Sequence, residues 1–242
     1  MAKHIVIASG KGGVGKSSVS AGLALALQRD GYRVLLVDCD IGLRSLDLIL
    51  GAGAALLFHW GDVIQKRCAP DQAVIAAAGG LSLLSAPSDF EPAYTPEAMR
   101  ELAAAYDGEF DYILFDSPAG VGLGLELAAA AAELALIIAT PDEVCVRSGQ
   151  VTADLLSRWG VAESRLIINR FDAKSVAKKK LLNIDEVIDS THLRLLGVVP
   201  SDQSVLFRMS RGQLIGAKSK AMQAFVRIAQ RLNGKRVLLE ID

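Results

Sequence analysis

Residues Gly10-Lys11-Gly12-Gly13-Val14-Gly15-Lys16-Ser17 have the spacing G-x-x-x-x-G-K-[ST] and lie between a short apolar run, Ile5–Ala8, and an alanine- and leucine-rich segment. Glycines allow the backbone conformations that turn successive N–H groups toward one anion, and a helix starting near Ser17 adds the positive end of its dipole. Lys16 can neutralise β- and γ-phosphate oxygens. The Ser17 hydroxyl, followed by Ser18, is a hard-oxygen ligand suited to Mg²⁺. Lys11 has no such ready assignment: the loop backbone and Lys16 already supply positive charge, so a second ammonium repels Lys16 unless a polyphosphate neutralises both.

Three further segments carry groups that suit the same chemistry. "LLVDCDIGLRSLDLIL" sets Asp38 and Asp40 at the end of an apolar run, two residues apart and therefore able to point to one side of a strand. Paired acids beside a phosphate loop can position Mg²⁺-bound water or an attacking water, although capping or solubilising roles also account for them. "YILFDSPAGVG" ends a second apolar run in Asp116, followed by Pro118 and Gly120 in a loop able to change shape. Asn169-Arg170 follows "LII", and Pro200 and Asp202 lie in "GVVPSDQSVL". Asn169 offers a donor and acceptors to a purine edge, and equally suits an ordinary turn.

The elements that must position these groups are short Val/Ile/Leu runs alternating with longer helix-like segments, the pattern of parallel strands joined by crossover helices. Strands are predicted at Ile5–Ala8, Val34–Asp38, Leu81–Ser85, Tyr112–Asp116, Leu134–Ala139, Leu166–Asn169 and Leu195–Val199. Helices are predicted at Ser17–Arg29, Pro96–Tyr106, Gly122–Ala131, Glu143–Trp159, Ile184–Ser190 and Lys218–Leu232, with Thr95 as an N-cap before Pro96. The expected fold is α/β: a single domain over 1–242, a doubly wound, mostly parallel sheet with helices on both faces and ligands beyond the carboxyl ends of the strands.

Composition narrows the class. The chain has 242 residues, 51% hydrophobic and 22% charged, with a net charge of −1. That balance suits a folded α/β protein and gives no general pull toward nucleic acid or an anionic membrane. Cys39, Cys68 and Cys145 are isolated, which argues against a disulfide framework, a structural zinc site and a Cys-ligated cluster within one chain. A reducing cytoplasm is the expected home. Met1-Ala2-Lys3 leads directly into the first apolar run, so no secretory signal is expected, and Gly79-Gly80, Glu126 and Glu133 interrupt the most apolar stretches.

The stretch K-G-G-V-G-K-S resembles the deviant Walker A motif of the MinD/ParA ATPases. "DCDIGLRSLDL" is similar to switch I of its MinD branch, and "YILFDSPAGVG" to the family's Walker B and switch II segment. The resemblance extends from Ile5 to about Leu232, and "DQSVL" and "KKLLNIDEVIDS" fit the MinD branch better than the ParA partition proteins. It implies that Lys11 reaches across an ATP-dependent homodimer to the partner's nucleotide. It further implies that Asp40 orients the nucleophilic water with Asp38 in support, that Asp116 acts through the Mg²⁺ hydration shell, and that Asn169, Arg170, Pro200 and Asp202 adjoin the adenine. ATP and Mg²⁺ are the expected cofactors, and turnover is expected to be slow without a stimulating partner protein.

Some features depart from that pattern. The resemblance to the MinD branch implies an ending that is usual there, a linker and a short basic amphipathic helix that attaches the ATP-bound dimer to the membrane. Here Met222, Phe225, Ala229 and Leu232 are spaced to dock a helix on the core, and Glu240 and Asp242 oppose binding to anionic lipid. Direct membrane attachment is therefore left open, with attachment through a partner at the inner face of the cell membrane as the alternative. Lys174 and Lys178-Lys179-Lys180 read as a solvated face, so nucleic acid is not an expected partner. His59-Trp60 suggests packing in the core or at a dimer edge. The leading expectation is a spatial switch in division-site selection; the alternative is a partition or polar-positioning ATPase acting as an assembly factor. An iron–sulfur carrier would need suitably placed cysteines.

Overall fold

In the computed structural model of the protein, which describes residues 1–53 and 56–241, the apolar runs pair into one sheet. Its strands are β1 (Lys3–Ala8), β2 (Val34–Asp38), β3 (Val74–Ala76), β4 (Ser82–Leu84), β5 (Tyr112–Asp116), β6 (Leu134–Ala139), β7 (Glu163–Phe171) and β8 (Arg194–Pro200). They lie in the order β3-β4-β2-β5-β1-β6-β7-β8. Every pairing is parallel except β3 with β4. β1 sits between β5 and β6, where chain connections diverge to the two sides, so its carboxyl end opens into the crevice that doubly wound sheets use for ligands.

The helices are α1 (Lys16–Arg29), α2 (Ser45–Ile49), α3 (Trp60–Ile64), α4 (Pro70–Ala73), α5 (Pro96–Ala105), α6 (Leu123–Ala129), α7 (Glu143–Arg158), α8 (Ala173–Ala177), α9 (Ile184–Thr191), α10 (Gln203–Met209) and α11 (Lys220–Leu232). Side chains alternate across the sheet, so Ile5 and Ile7 of β1 enter the core beneath α1 and α11, whereas Val6 and Ala8 enter the core beneath α5 and α6. Both faces are covered, which is why the parallel strands are continuously apolar.

The six long helices and seven parallel strands follow the sequence expectation closely. β3 and the helices α2, α3, α4, α8 and α10 were not expected; all but α10 are runs of three to five residues, too short to display a period. Met222, Phe225 and Ala229 are buried, and Leu232 packs at the rim of the same core, so α11 docks as its spacing requires. Trp60 is a core residue. Asp242 lies outside the described residues. Among the described residues no helix is long and apolar enough to cross a membrane.

Candidate functional site: a phosphate loop between two acidic strand ends

The loop from Ser9 to Gly15 links the carboxyl end of β1 to the first residue of α1, Lys16. Gly15 caps α1 with φ of 91°, a left-handed conformation that disfavours any side chain. A Cβ at this position would also stand 2.6 Å from the Asn169 amide nitrogen. No side chain caps α1 and its first turn contains no acid, so its leading N–H groups face the loop without a competing anion.

Lys16 is buried beneath this loop. Burial pushes its ammonium below the usual lysine range, while the charges of Asp116 and Asp40 pull it back up. Asp116, at the end of β5, is fully buried, and one carboxylate oxygen accepts a 2.7 Å hydrogen bond from Ser20. The Ser17 hydroxyl sits against the same carboxylate. Oδ2 of Asp116 has no hydrogen-bond partner. Burial pushes this acid up to about 6 against the opposing effect of the two serines and Lys16. A buried, unpartnered carboxylate oxygen beside a serine hydroxyl at the base of a phosphate loop is a donor set that fits Mg²⁺ and its water shell, with Asp40 nearby as a third oxygen donor.

Asp38 pairs in register with Asp116 across β2 and β5. It is buried, and both carboxylate oxygens accept main-chain hydrogen bonds, Oδ1 from Asp40 N–H at 2.9 Å and Oδ2 from Leu46 N–H at 3.0 Å. Burial, reinforced by the charge of Asp116, pushes it up to about 7. Its geometry is that of a support, since it holds the 39–46 segment in place while Asp40 stands half-exposed within reach of the Lys16 charge. Asp40 is half-buried and its carboxyl is raised by burial, with Lys16 opposing. Ser45, at the start of α2, donates to the Ser17 hydroxyl at 3.1 Å and ties this segment to the loop.

Lys11 points elsewhere. Its side chain is 48% exposed and its Nζ lies 3.6 Å from Oδ1 of Asp142. Asp142 is the N-cap of α7; its carboxylate accepts from Cys145 N–H at 3.0 Å and from the Thr140 hydroxyl at 2.6 Å. Burial opposes its ionisation, but those two hydrogen bonds and the Lys11 charge hold it below the usual carboxylate range.

Beside the loop, Gly15, Ser18, Asn169, Arg170, Pro200 and Asp202 line a cavity that opens to solvent. Asn169 donates one amide N–H to the Val14 carbonyl at 2.7 Å, which leaves its second N–H and its carbonyl oxygen for a ligand. Arg170 adopts φ of 54° at the cavity wall. Asp202 caps α10 by accepting from Ser204 N–H at 2.9 Å. The structure thus brings the loop, Asp38, Asp40, Asp116 and the cavity residues to one end of the sheet. Ser20, Ser45 and Asp142 join them without having been singled out, although Ser45 lies within the "DCDIGLRSLDL" segment and Pro141-Asp142 precedes a helix.

Comparison with known proteins agrees with this arrangement. Residues 5–215 match the CobQ/CobB/MinD/ParA nucleotide binding domain family. The septum site-determining protein MinD of Synechocystis is 34% identical over 98% of this chain and 91% of that protein. The solved MinC:MinD cell division protein complex of Aquifex aeolicus superposes with a TM-score of 0.90 at 33% identity, covering 99% of this chain and 98% of that one. MinD of Pyrococcus horikoshii, solved with Mg-ADP, gives a TM-score of 0.86 at 28% identity, covering 96% of each chain. With the phosphate loop and its acids in place at the head of such a sheet, the chain belongs to the CobQ/CobB/MinD/ParA nucleotide-binding family and, within it, to the MinD septum site-determining proteins, ATPases of division-site selection.

Proposed function

We propose that this protein is a slow, partner-stimulated Mg²⁺-dependent ATPase that dimerises when ATP is bound and returns to monomers after hydrolysis, so that nucleotide state sets when it engages an effector protein. The observation that carries this reading is the contrast between its two loop lysines. Lys16 is buried under the loop, whereas Lys11 stands half-exposed at its rim and reaches away from the enclosed phosphate site. A cation so placed serves a second subunit's triphosphate better than its own.

The amides of Gly12 to Ser18 and the Lys16 ammonium would bind the phosphates, and the Asn169–Asp202 cavity would take the adenine. Ser17 and Asp116, with Asp40 close by, would hold Mg²⁺, which when bound supplies charge neutralisation at the β- and γ-phosphate oxygens. Asp40 would orient the water whose oxygen attacks the γ-phosphorus as the bond to the ADP oxygen breaks. Its raised carboxyl suits it to receive the proton that the water gives up. Each Lys11 would add positive charge to the partner's γ-phosphate as ADP departs.

Light-scattering mass measurement with Mg-ATP and with Mg-ADP tests the cycle, together with phosphate release. The expected result is twice the monomer mass with ATP only, and loss of turnover but not of the ATP-bound dimer in Asp40→Asn. A single mass in both nucleotides contradicts it.

A further inference from the structure

β2 and β4 pair as far as Val37 and Leu84 and then separate, one chain running into the 39–44 loop and the other into the 85–95 loop. Trp60, the first residue of α3, bridges the opening. Its main-chain N–H donates to the Ser85 carbonyl at 3.1 Å, and its indole Nε1–H donates to the Asp38 carbonyl at 2.8 Å. The ring is 1% exposed, and Tyr94 packs edge-on against it with centroids 4.7 Å apart. A capping box fixes the start of α3: the His59 ring accepts from Asp62 N–H, and the Asp62 carboxylate accepts from His59 N–H. The indole is therefore held in one orientation from both ends.

The group it holds is the peptide unit between Asp38 and Cys39. The carbonyl of that unit takes the indole N–H, and the N–H of the same unit donates to the Asp116 carbonyl at 3.0 Å. Both sides of one peptide plane are pinned, between the two register-paired acids. The next N–H along the chain, that of Asp40, is bound by the Asp38 carboxylate. Burial of a large ring would by itself require only volume and shape. The directed indole N–H does something further, because it fixes the direction in which the chain leaves β2 and hence where the Asp40 carboxylate stands.

We infer that Trp60 is a positioning residue for hydrolysis, acting through the Asp38 carbonyl to place Asp40 in the crevice; this rests on the reading of Asp40 as the residue that orients water. Replacing Trp60 with 3-benzothienylalanine, which keeps the ring shape but has sulfur where the indole has N–H, isolates the hydrogen bond from the packing. Trp60→Phe and Asp40→Asn are measured beside it, each for kcat, ADP dissociation constant and Tm. The expected result is that the benzothienyl protein loses about three- to tenfold in kcat, the effect of one net hydrogen bond, with ADP affinity unchanged. Trp60→Phe should lose at least as much in kcat and also melt lower. A benzothienyl protein with wild-type kcat, while Asp40→Asn is inactive, overturns the role of Trp60 and leaves that of Asp40 standing. A loss of ADP affinity as large as the loss of kcat shows a merely structural role and also overturns it. Wild-type kcat in Asp40→Asn removes the reading of Asp40 itself.

Discussion

Lys11 and Asp142 face each other at 3.6 Å across the mouth of the phosphate loop, each more than a third exposed, while five residues further on Lys16 is buried. The contact links the loop to the N-cap of α7. It gives the free subunit a place for a cation that would otherwise repel Lys16. Because the pair is solvated, its strength is that of a surface ion pair, about 0.2–1 kcal/mol, weak enough for a partner's triphosphate to displace in the proposed dimer.

Removing that competition should favour association. Asp142→Asn retains a capping side chain for α7 but cancels the charge facing Lys11. ATP-dependent dimerisation should tighten by about two- to fivefold in sedimentation equilibrium, with ADP affinity unaltered. Weaker dimerisation would show that Asp142 contributes to the assembled state instead.

The two buried strand-end acids give the unligated protein an unusual pH dependence. Asp38 is raised to about 7 and Asp116 to about 6 in the folded chain, whereas both have pKa values of about 3.9 when unfolded. Between those limits the folded state holds protons that the unfolded chain has released, so stability falls as pH rises across the window. Tm of the nucleotide-free protein should drop from about pH 5 to about pH 7.5, and Asp38→Asn should flatten the slope. Differential scanning calorimetry measures both; a Tm that climbs steadily over this range contradicts the assignment.

Packing of α11 on α1 also reaches the nucleotide site. Gly22 of α1 lies directly under the Phe225 ring, which a Cβ would strike, and Phe225 lines the same cavity as Asn169 and Pro200. Gly22→Ala should destabilise the protein by about 1–3 kcal/mol through overpacking and weaken ADP binding as the ring shifts. Thermal melts with and without ADP separate the two effects. Unchanged ADP affinity would show that the ring does not shape the cavity.

How far the site could be read from the chain depended on sequence distance. Gly10 to Ser17 is a contiguous motif in which each residue type has a local reason, and Asp38 and Asp116 mark the ends of short apolar runs whose length and alternation with helix-like segments identify them as strands. Contacts made across the fold left no such trace. Ser20 meets Asp116, Ser45 meets Ser17, and Trp60 meets Asp38 only because β5, α2 and α3 converge at one end of the sheet. The double hydrogen bonding of the Asp38 carboxylate, which makes it a support for the loop, likewise depends on a helix of five residues that periodicity cannot reveal.

The central claim is that Lys11 works in the neighbouring subunit's site, and mixing two defective proteins tests it most directly. Lys11→Ala retains Asp40, and Asp40→Asn retains Lys11, so a mixed dimer contains one site with its own Asp40 and a lysine donated from across the interface. Phosphate release by the mixture should rise well above the sum of the two proteins measured alone, toward half the wild-type rate per dimer. A mixture that releases phosphate only at that sum, while mixed dimers are shown to form, would place Lys11 in its own subunit's site and contradict the account.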